Sequence, residues 1–190
     1  MVKLKINVIL LVAIVAVCSC SFLSSGYNNE HGQFVPKHPH FRLKDKKQHR
    51  IPDDLDTINI YKLNYRFSFG IETYPSDAYD DESGMLKYAF CLKFYGKGRC
   101  MFFGVDPYQI MENDLNPNNS YCSKEYFYSK DGQTFYIESY FNNQGYGHYM
   151  ISKYKINKTG DTIIKIGKNS KDIYVREILP KHWKKYPVDW

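Results

Sequence analysis

The chain contains none of the common catalytic motifs, and their absence excludes several classes of enzyme. Its 190 residues include no glycine-rich phosphate-binding loop, no HExxH metal motif and no GxSxG nucleophile turn. Glu138 and Glu177 fall on predicted strands, but neither has an evident partner carboxylate for a hydrolytic pair. The predicted strands hold one histidine, His148, so a cysteine nucleophile has little support. We therefore expect no enzyme, no catalytic residue and no cofactor.

Long hydrophobic runs are also scarce, because only the N-terminus carries one. Ile6 to Val17 is apolar except for Asn7, and Lys3 and Lys5 precede it. Twelve residues form about 18 Å of helix, which is short of the roughly 30 Å hydrocarbon core of a bilayer. The pattern therefore predicts a signal peptide over residues 1–19 rather than a membrane-spanning anchor.

The end of this segment, Val17-Cys18-Ser19-Cys20, resembles the lipobox of bacterial lipoproteins. Cys20 fits the lipidated position because Ser19 precedes it and Val17 occupies the aliphatic position, whereas Cys18 replaces the usual small residue. The resemblance implies a lipid bilayer as partner, through acyl chains such as palmitate on Cys20. By resemblance to lipoprotein sorting, the lack of an acidic residue directly after Cys20 favours the outer membrane. Ordinary cleavage that yields a secreted protein is the alternative.

Residues 20–56 are predicted to be a lipidated N-terminus followed by a flexible tether. They lack helix or strand periodicity, and Pro36, Pro39 and Pro52 interrupt any regular element. The basic side chains of this stretch predict either contact with anionic head groups or a solvated spacer; they are Lys37, Arg42, Lys44, Lys46, Lys47 and Arg50. Its histidines lack the cysteine or carboxylate partners of a metal site.

The formal net charge of +6 is distributed unevenly along the chain. Residues 1–50 carry eight basic and two acidic side chains, whereas residues 51–170 carry 13 basic and 15 acidic ones. The body of the protein is therefore slightly acidic and offers no basic groove for nucleic acid. A membrane surface remains the expected anionic partner.

Residues 57–190 are predicted to form an all-β domain with a C-terminal tail. Apolar and polar residues alternate in several runs, for example from Leu86 to Phe94, and turn signals such as Gly96-Lys97-Gly98 separate them. The connections are too short for parallel crossovers. We expect an antiparallel meander of about eight strands that forms a lipocalin-like barrel or a partly open barrel, with a short helix or loop insertion over residues 106–121.

Parts of these hairpins resemble small lipocalin-like lipoproteins of Bacteroidetes. The likeness lies in Gly145-Tyr146-Gly147-His148-Tyr149, in Thr159-Gly160-Asp161-Thr162-Ile163-Ile164 and in Lys93-Phe94-Tyr95-Gly96-Lys97-Gly98. It covers about residues 88–166. The resemblance implies a barrel and an envelope location, and it implies no activity.

Two clusters of residues are candidate sites. Cys91, Cys100 and Cys122 lie in a chain expected to reach an oxidising compartment, which predicts one disulfide with its pairing left open. Four acidic residues crowd one loop, but they lack the spacing of a calcium loop, so we expect no metal site; they are Asp77, Asp80, Asp81 and Glu82.

We therefore expect a membrane-anchored envelope lipoprotein that binds a small apolar ligand or has a structural role. The alternative is a surface-exposed interaction or inhibitor module that acts through loops 70–85 and 106–123, with an unidentified protein partner. Polar groups lining an interior pocket would favour ligand binding, whereas a solid aromatic interior would favour the interaction module.

Overall fold

A computed structural model describes the chain from residue 26 to residue 186, except for residues 31, 45, 47–50, 70, 74–87, 107, 120, 130, 144–145 and 184. The predicted signal peptide, Cys20 and the acidic loop at residues 77–82 lie outside the described residues. The described residues form eleven strands. They are β1 Gly26–Asn28, β2 Phe34–Pro36, β3 Ile60–Ser68, β4 Ile71–Thr73, β5 Ala89–Tyr95, β6 Arg99–Val105, β7 Cys122–Ser129, β8 Thr134–Asn143, β9 Tyr146–Ile156, β10 Thr162–Ile166 and β11 Ser170–Glu177.

Eight of these strands close into an antiparallel barrel. The hydrogen-bonded order is β3-β5-β6-β7-β8-β9-β10-β11, and β11 pairs with β3 to complete the circle. The β4 strand pairs with the C-terminal end of β3, and β1 and β2 form a separate hairpin. The predicted all-β meander of about eight strands is confirmed, as is its closure into a lipocalin-like barrel.

A bulge in β3 decides which of its side chains enter the barrel. The β11–β3 register shifts between Ile173 and Tyr174, so that Tyr174 lies opposite Leu63 while Asp172 lies opposite Arg66. Because alternation restarts after the bulge, Leu63 and Arg66 both face inward although they are three residues apart.

The interior is a continuous aromatic and aliphatic core at one end, here named the lower end. This end carries the β5–β6, β7–β8 and β9–β10 turns. Phe94 contacts the rings of Phe127 and Phe135 edge-on, and the ring of Tyr154 stacks on Phe135 at 5.4 Å between centroids. Edge-on and offset ring pairs are the favourable geometries for aromatic side chains. The core therefore fills this end of the barrel with large, well-packed side chains.

Residues 51–59 close the lower end. Leu55 is buried among the core residues, and Ile51 packs against them. The Tyr61 hydroxyl donates to the carbonyl of Gly160 at 2.8 Å and accepts the amide of Asp56 at 2.9 Å. The segment is thus bonded to the barrel at the point where the chain enters β3.

The expected flexible tether differs from the structure wherever the chain is described. Phe41 and Leu43 are buried in a cluster with Tyr126 and Tyr140, on the outer face of β7 and β8. The amide of Leu43 donates to Glu138 Oε2 at 2.8 Å. The tether prediction is wrong here because it counted prolines and charges, whereas the few aromatic residues of the segment supply enough apolar surface to bind it to the barrel. Residues 26–44 are named the strap below.

Two basic side chains, Lys44 in the strap and Lys46 just after it, also contact the barrel. Lys44 Nζ and Lys46 Nζ each lie 5.9 Å from a tyrosine ring centroid, those of Tyr126 and Tyr128 respectively. Such cation–π contacts hold the charges against the protein, so these two lysines are not simply a solvated spacer.

The C-terminal tail and the β6–β7 connection cover another part of the outer wall. This connection contains a short 3₁₀ helix, Glu112–Leu115, which agrees with the predicted helix or loop insertion. Leu115 is buried with Met101 and Phe103, and Trp183 packs against the same cluster. No helix within the described ranges is long and apolar enough to cross a membrane.

The expected disulfide is not formed. Cys91, Cys100 and Cys122 are all buried, and their thiols are free. Phe103 lies between Cys91 and Cys122 in register, which puts their strands about 10 Å apart, beyond the roughly 7 Å that a bridge can span between Cα atoms. Cys100 faces the barrel interior, whereas the other two face the outer cluster. The prediction was based on spacing along the chain, which does not show on which face of the sheet each cysteine lies.

Candidate functional site: the upper half of the barrel interior

Small side chains are concentrated at inward positions of the upper half of the barrel, below larger rim residues such as Met150 and Phe141. Toward the upper end, which carries the β8–β9 and β10–β11 connections, six inward positions are serine or glycine. They are Ser68, Gly104, Ser123, Ser139, Ser152 and Ser170. An eight-stranded barrel either fills with side chains or holds one small ligand, and small wall residues leave space for the ligand. The upper half therefore has the composition of a cup above an aromatic floor.

Side chains at the upper rim are open to solvent although they lie on the inner face. Met150 lies opposite Ser139, and Phe141 lies opposite His148. Met150 is 39% exposed and Phe141 is 37% exposed. Since Ser139 is buried and shares the inner face with the Phe127–Ile137 pair, alternation places both rim residues inside the wall. Water therefore reaches the inner wall from this end.

Glu125 is a carboxylate buried in the wall of the cup. It lies opposite Cys100 on β6 and accepts a hydrogen bond from Ser123 Oγ at 3.0 Å and another from Ser139. Burial raises the pKa of Glu125 to about 7, although the two serine hydroxyls and the charge of Lys165 act to lower it. Near neutral pH the group is present in both protonation states, so it can accept or donate a hydrogen bond.

Three charged side chains line the wall formed by β10, β11 and β3. Lys165 lies opposite Asp172 in register, and Asp172 lies opposite Arg66. Arg66 Nε and Nη2 donate to the two Asp172 oxygens at 2.8 Å and 3.2 Å, which is the two-point geometry of a strong ion pair. With Glu125, the inner wall thus contains two acids and two bases, so it favours a ligand with polar groups over a purely hydrocarbon one.

The floor of the cup is aromatic. Phe90 and Phe102 face inward on β5 and β6, and their rings stack at 5.3 Å with planes 13° apart. Both rings are only half-buried and pack against the main core. A planar ligand can therefore lie against a flat aromatic surface within the barrel.

Among the candidate catalytic and disulfide residues of the sequence, two lie on the inner face of the barrel: Cys100, and His148 at the upper rim. Cys100 lies within the inner wall opposite Glu125, while Cys91 and Cys122 lie outside it. Glu138 faces outward beneath the strap, and Glu177 lies exposed at the end of β11. No group of three or more metal-ligating side chains occurs within the part of the chain that the structure describes.

Glu125, Lys165 and the serines were not singled out from the sequence. The sequence signal that could have identified them is the alternation along one predicted strand. Ser123, Glu125 and Phe127 occupy alternate positions there and so share one face. A glutamate in phase with buried aromatic residues is uncommon, because burial of an unpaired carboxylate is costly. This argument needs the inner face of β7 to be known, and the sequence pattern alone does not identify it.

Comparison of the chain with known protein families, with curated proteins and with solved structures gives no match. The argument for this site therefore depends on the geometry of the barrel.

Proposed function

We propose that the chain is a lipid-anchored protein of the bacterial cell envelope, carried by the outer membrane, that binds one small molecule in the upper half of its barrel. The observation that supports this most is the set of serine and glycine residues at inward positions of the upper half, with Glu125 buried beside them. A barrel that needed only to be stable would gain by continuing the aromatic packing to its upper end.

The chemistry of the cup favours a ligand with an aromatic or apolar body and a hydrogen-bond donor. The stacked Phe90 and Phe102 rings suit a planar apolar group, and Glu125 supplies an acceptor within the wall. Ser152, on strand β9, is half-buried on the inner face opposite Ile137 of β8. Such a pairing of an apolar surface with a few polar groups is typical of small-molecule sites.

The membrane anchor rests on the resemblance of residues 17–20 to a lipobox. Five residues lie between Cys20 and the first described residue, Gly26, so the two are at most about 20 Å apart. Since the strap lies on the barrel wall, an acylated Cys20 would hold the barrel close to the bilayer. Mass spectrometry of the N-terminus from cells tests this: acyl mass on Cys20 supports the anchor, and an unmodified N-terminus contradicts it.

Ligand binding is tested with N-phenyl-1-naphthylamine, a neutral aromatic probe with one N–H donor whose fluorescence rises in apolar surroundings. We expect saturable binding of one probe per barrel. Ser152→Phe, which fills the cup, should weaken binding at least tenfold. Lys153→Phe adds the same side chain to the exposed outer face of the same strand and should leave binding unchanged. Equal binding by the two variants would contradict the proposal.

A second candidate function is protein recognition through the β6–β7 connection. It is favoured by two neighbouring apolar side chains on the surface, Tyr108, which is 84% exposed, and Met111, which is also exposed. Exposed aromatic and methionine side chains are enriched at interfaces. If this reading holds, Tyr108→Ser with Met111→Ser should abolish a cross-link to a surface partner in cells while leaving probe binding intact.

A further inference from the structure

A groove of about 530 Å³ lies on the outside of the barrel, apart from the cup. One wall is the segment Thr57–Asn59 and the other is the C-terminal tail, which runs from Ile178 to Tyr186. Its apolar surface comes from Leu115, Trp183 and other tail residues, which pack against the outer cluster. The volume is in the range of small-molecule sites, roughly 300–1,000 Å³.

Lys93 places a fixed positive charge at this groove. The residue is 8% exposed, and its Nζ donates to the carbonyls of Thr57 at 3.0 Å, Asn59 at 3.2 Å and Ile58 between them. The three hydrogen bonds hold the ammonium group in one position. Two more lysines, Lys181 and Lys185, line the groove from the exposed tail.

The positive charge of the groove is only partly balanced. No carboxylate is among its described lining residues. Asp56 acts on Lys93 from outside the lining, but its oxygens already accept the amides of Ile58 and Asn59, and Arg176 Nη1 lies 3.6 Å from Oδ2. The pKa of Lys93 is lowered to about 8, mainly by burial; the charge of Asp56 acts to raise it and the charge of Lys185 acts to lower it. An anion in the groove would relieve this repulsion.

We propose that this outer groove binds a free anionic amphiphile, a molecule with a carboxylate head and an unbranched apolar chain. The head lies among Lys93, Lys181 and Lys185, where the tail lysines donate hydrogen bonds and Lys93 contributes its charge. The chain lies along Leu115 and Trp183. The groove shares no residue with the cup, so the two sites are independent.

Trp183 allows a direct test. The chain has two tryptophans, Trp183 and Trp190, so a Trp190→Phe background leaves Trp183 as the only indole. Decanoate, kept monomeric, should change its fluorescence saturably. Decanol, which has the same chain without the charge, should bind at least tenfold more weakly. Equal responses to decanoate and decanol would overturn the proposal.

The lysines are tested by a matched pair of double variants. Lys181→Ser with Lys185→Ser removes two charges from the groove and should weaken decanoate binding at least tenfold. Lys153→Ser with Lys155→Ser removes two exposed charges from the outer face of β9 and should have no effect. All four positions are on the surface, so both variants are expected to fold. Equal weakening by the two variants would contradict a specific site.

Two further measurements separate this site from its alternatives. Ser152→Phe should leave decanoate binding unchanged even where it abolishes probe binding in the cup, so either proposal can fail alone. Vesicles of phosphatidylglycerol and phosphatidylcholine should not change Trp183 fluorescence. A response to these vesicles without a response to decanoate would place the surface on a membrane and overturn the proposal.

Discussion

Glu125 couples the stability of the barrel to pH. Its pKa is raised by burial from the usual 4.5 to about 7, so the folded protein keeps this proton at pH values where the unfolded chain has lost it. Between these values the native state binds more protons, and the free energy of unfolding falls as pH rises. The contribution of Glu125 to the free energy of unfolding is complete below about pH 4.5 and is lost by about pH 7. It is at most on the order of 3 kcal/mol.

Urea unfolding at pH 5 and at pH 8 checks this coupling. The wild-type chain should lose more stability than Glu125→Gln between the two pH values, because glutamine cannot titrate. Glu177→Gln removes an exposed glutamate at the end of β11 and should retain the wild-type difference. If Glu125→Gln shows the wild-type pH dependence, Glu125 is not the buried acid described here.

The cysteines should remain thiols even in an oxidising compartment. Burial raises the pKa of Cys91 and of Cys122 to about 12 and raises that of Cys100 well above its usual value. Because the thiolate is the reactive form, none should react with an aromatic disulfide reagent at pH 8 in the folded protein. A chain that starts at Ser21 should release three equivalents of reagent anion after unfolding in urea. Fewer than three would reveal a disulfide.

At the scale of elements, the strap depends on Glu138. Glu138 is fully buried, and within the described residues its Oε1 has no hydrogen-bond partner while its Oε2 accepts the amide of Leu43. Glu138→Ala removes this acceptor, and a buried donor left without a partner costs about 1–3 kcal/mol. Hydrogen exchange at the Leu43 amide should become roughly 10- to 100-fold faster.

Glu138→Gln is the matched control for the strap. It retains one carbonyl oxygen that can accept the Leu43 amide, so protection of the strap should persist. Similar exchange rates in the alanine and glutamine variants would show that the aromatic contacts of Phe41, and not Glu138, hold the strap.

Two glycines in turns at the lower end test whether the 51–59 segment contributes to stability. Gly160 and Gly132 both have positive φ, at 67° and 77°, but a Cβ on Gly160 would lie 2.1 Å from the Asp54 carbonyl oxygen, whereas one on Gly132 would meet nothing within 4 Å. Gly132→Ala should cost only the backbone term, about 1–2 kcal/mol. Gly160→Ala should cost clearly more in urea unfolding, because the 51–59 segment must move. Equal costs would mean that this contact does not matter.

The packing of the strap on the barrel could not be predicted from the sequence pattern. Regular alternation identified the strands of the barrel, since each strand buries one face. Residues 26–44 contain only short three-residue strands, and their contribution lies in single anchors such as Phe34 and Phe41, which leave no periodic signal. Their packing depends on a matching surface on β7 and β8, which exists only after the barrel has formed.

At the scale of the whole molecule, the closed meander could be predicted and the cup could not. Turn signals and short connections are local, and they determine the order of strands along an antiparallel sheet. The cup depends on which alternate residues of eight strands meet at one level inside the barrel, and the β3 bulge changes the phase of one strand. Arg66 is the clearest case, because without the bulge it would face outward.

The most direct test of the cup is methionine methyl NMR during titration with N-phenyl-1-naphthylamine. Met150 lies on the inner face at the upper end, whereas Met101 is buried in the outer cluster beneath the tail. The account predicts a saturable shift of the Met150 methyl signal at one equivalent of probe, with the Met101 signal unchanged, and loss of the Met150 shift in Ser152→Phe. A probe that binds while the Met150 signal stays fixed would contradict a ligand site within the barrel.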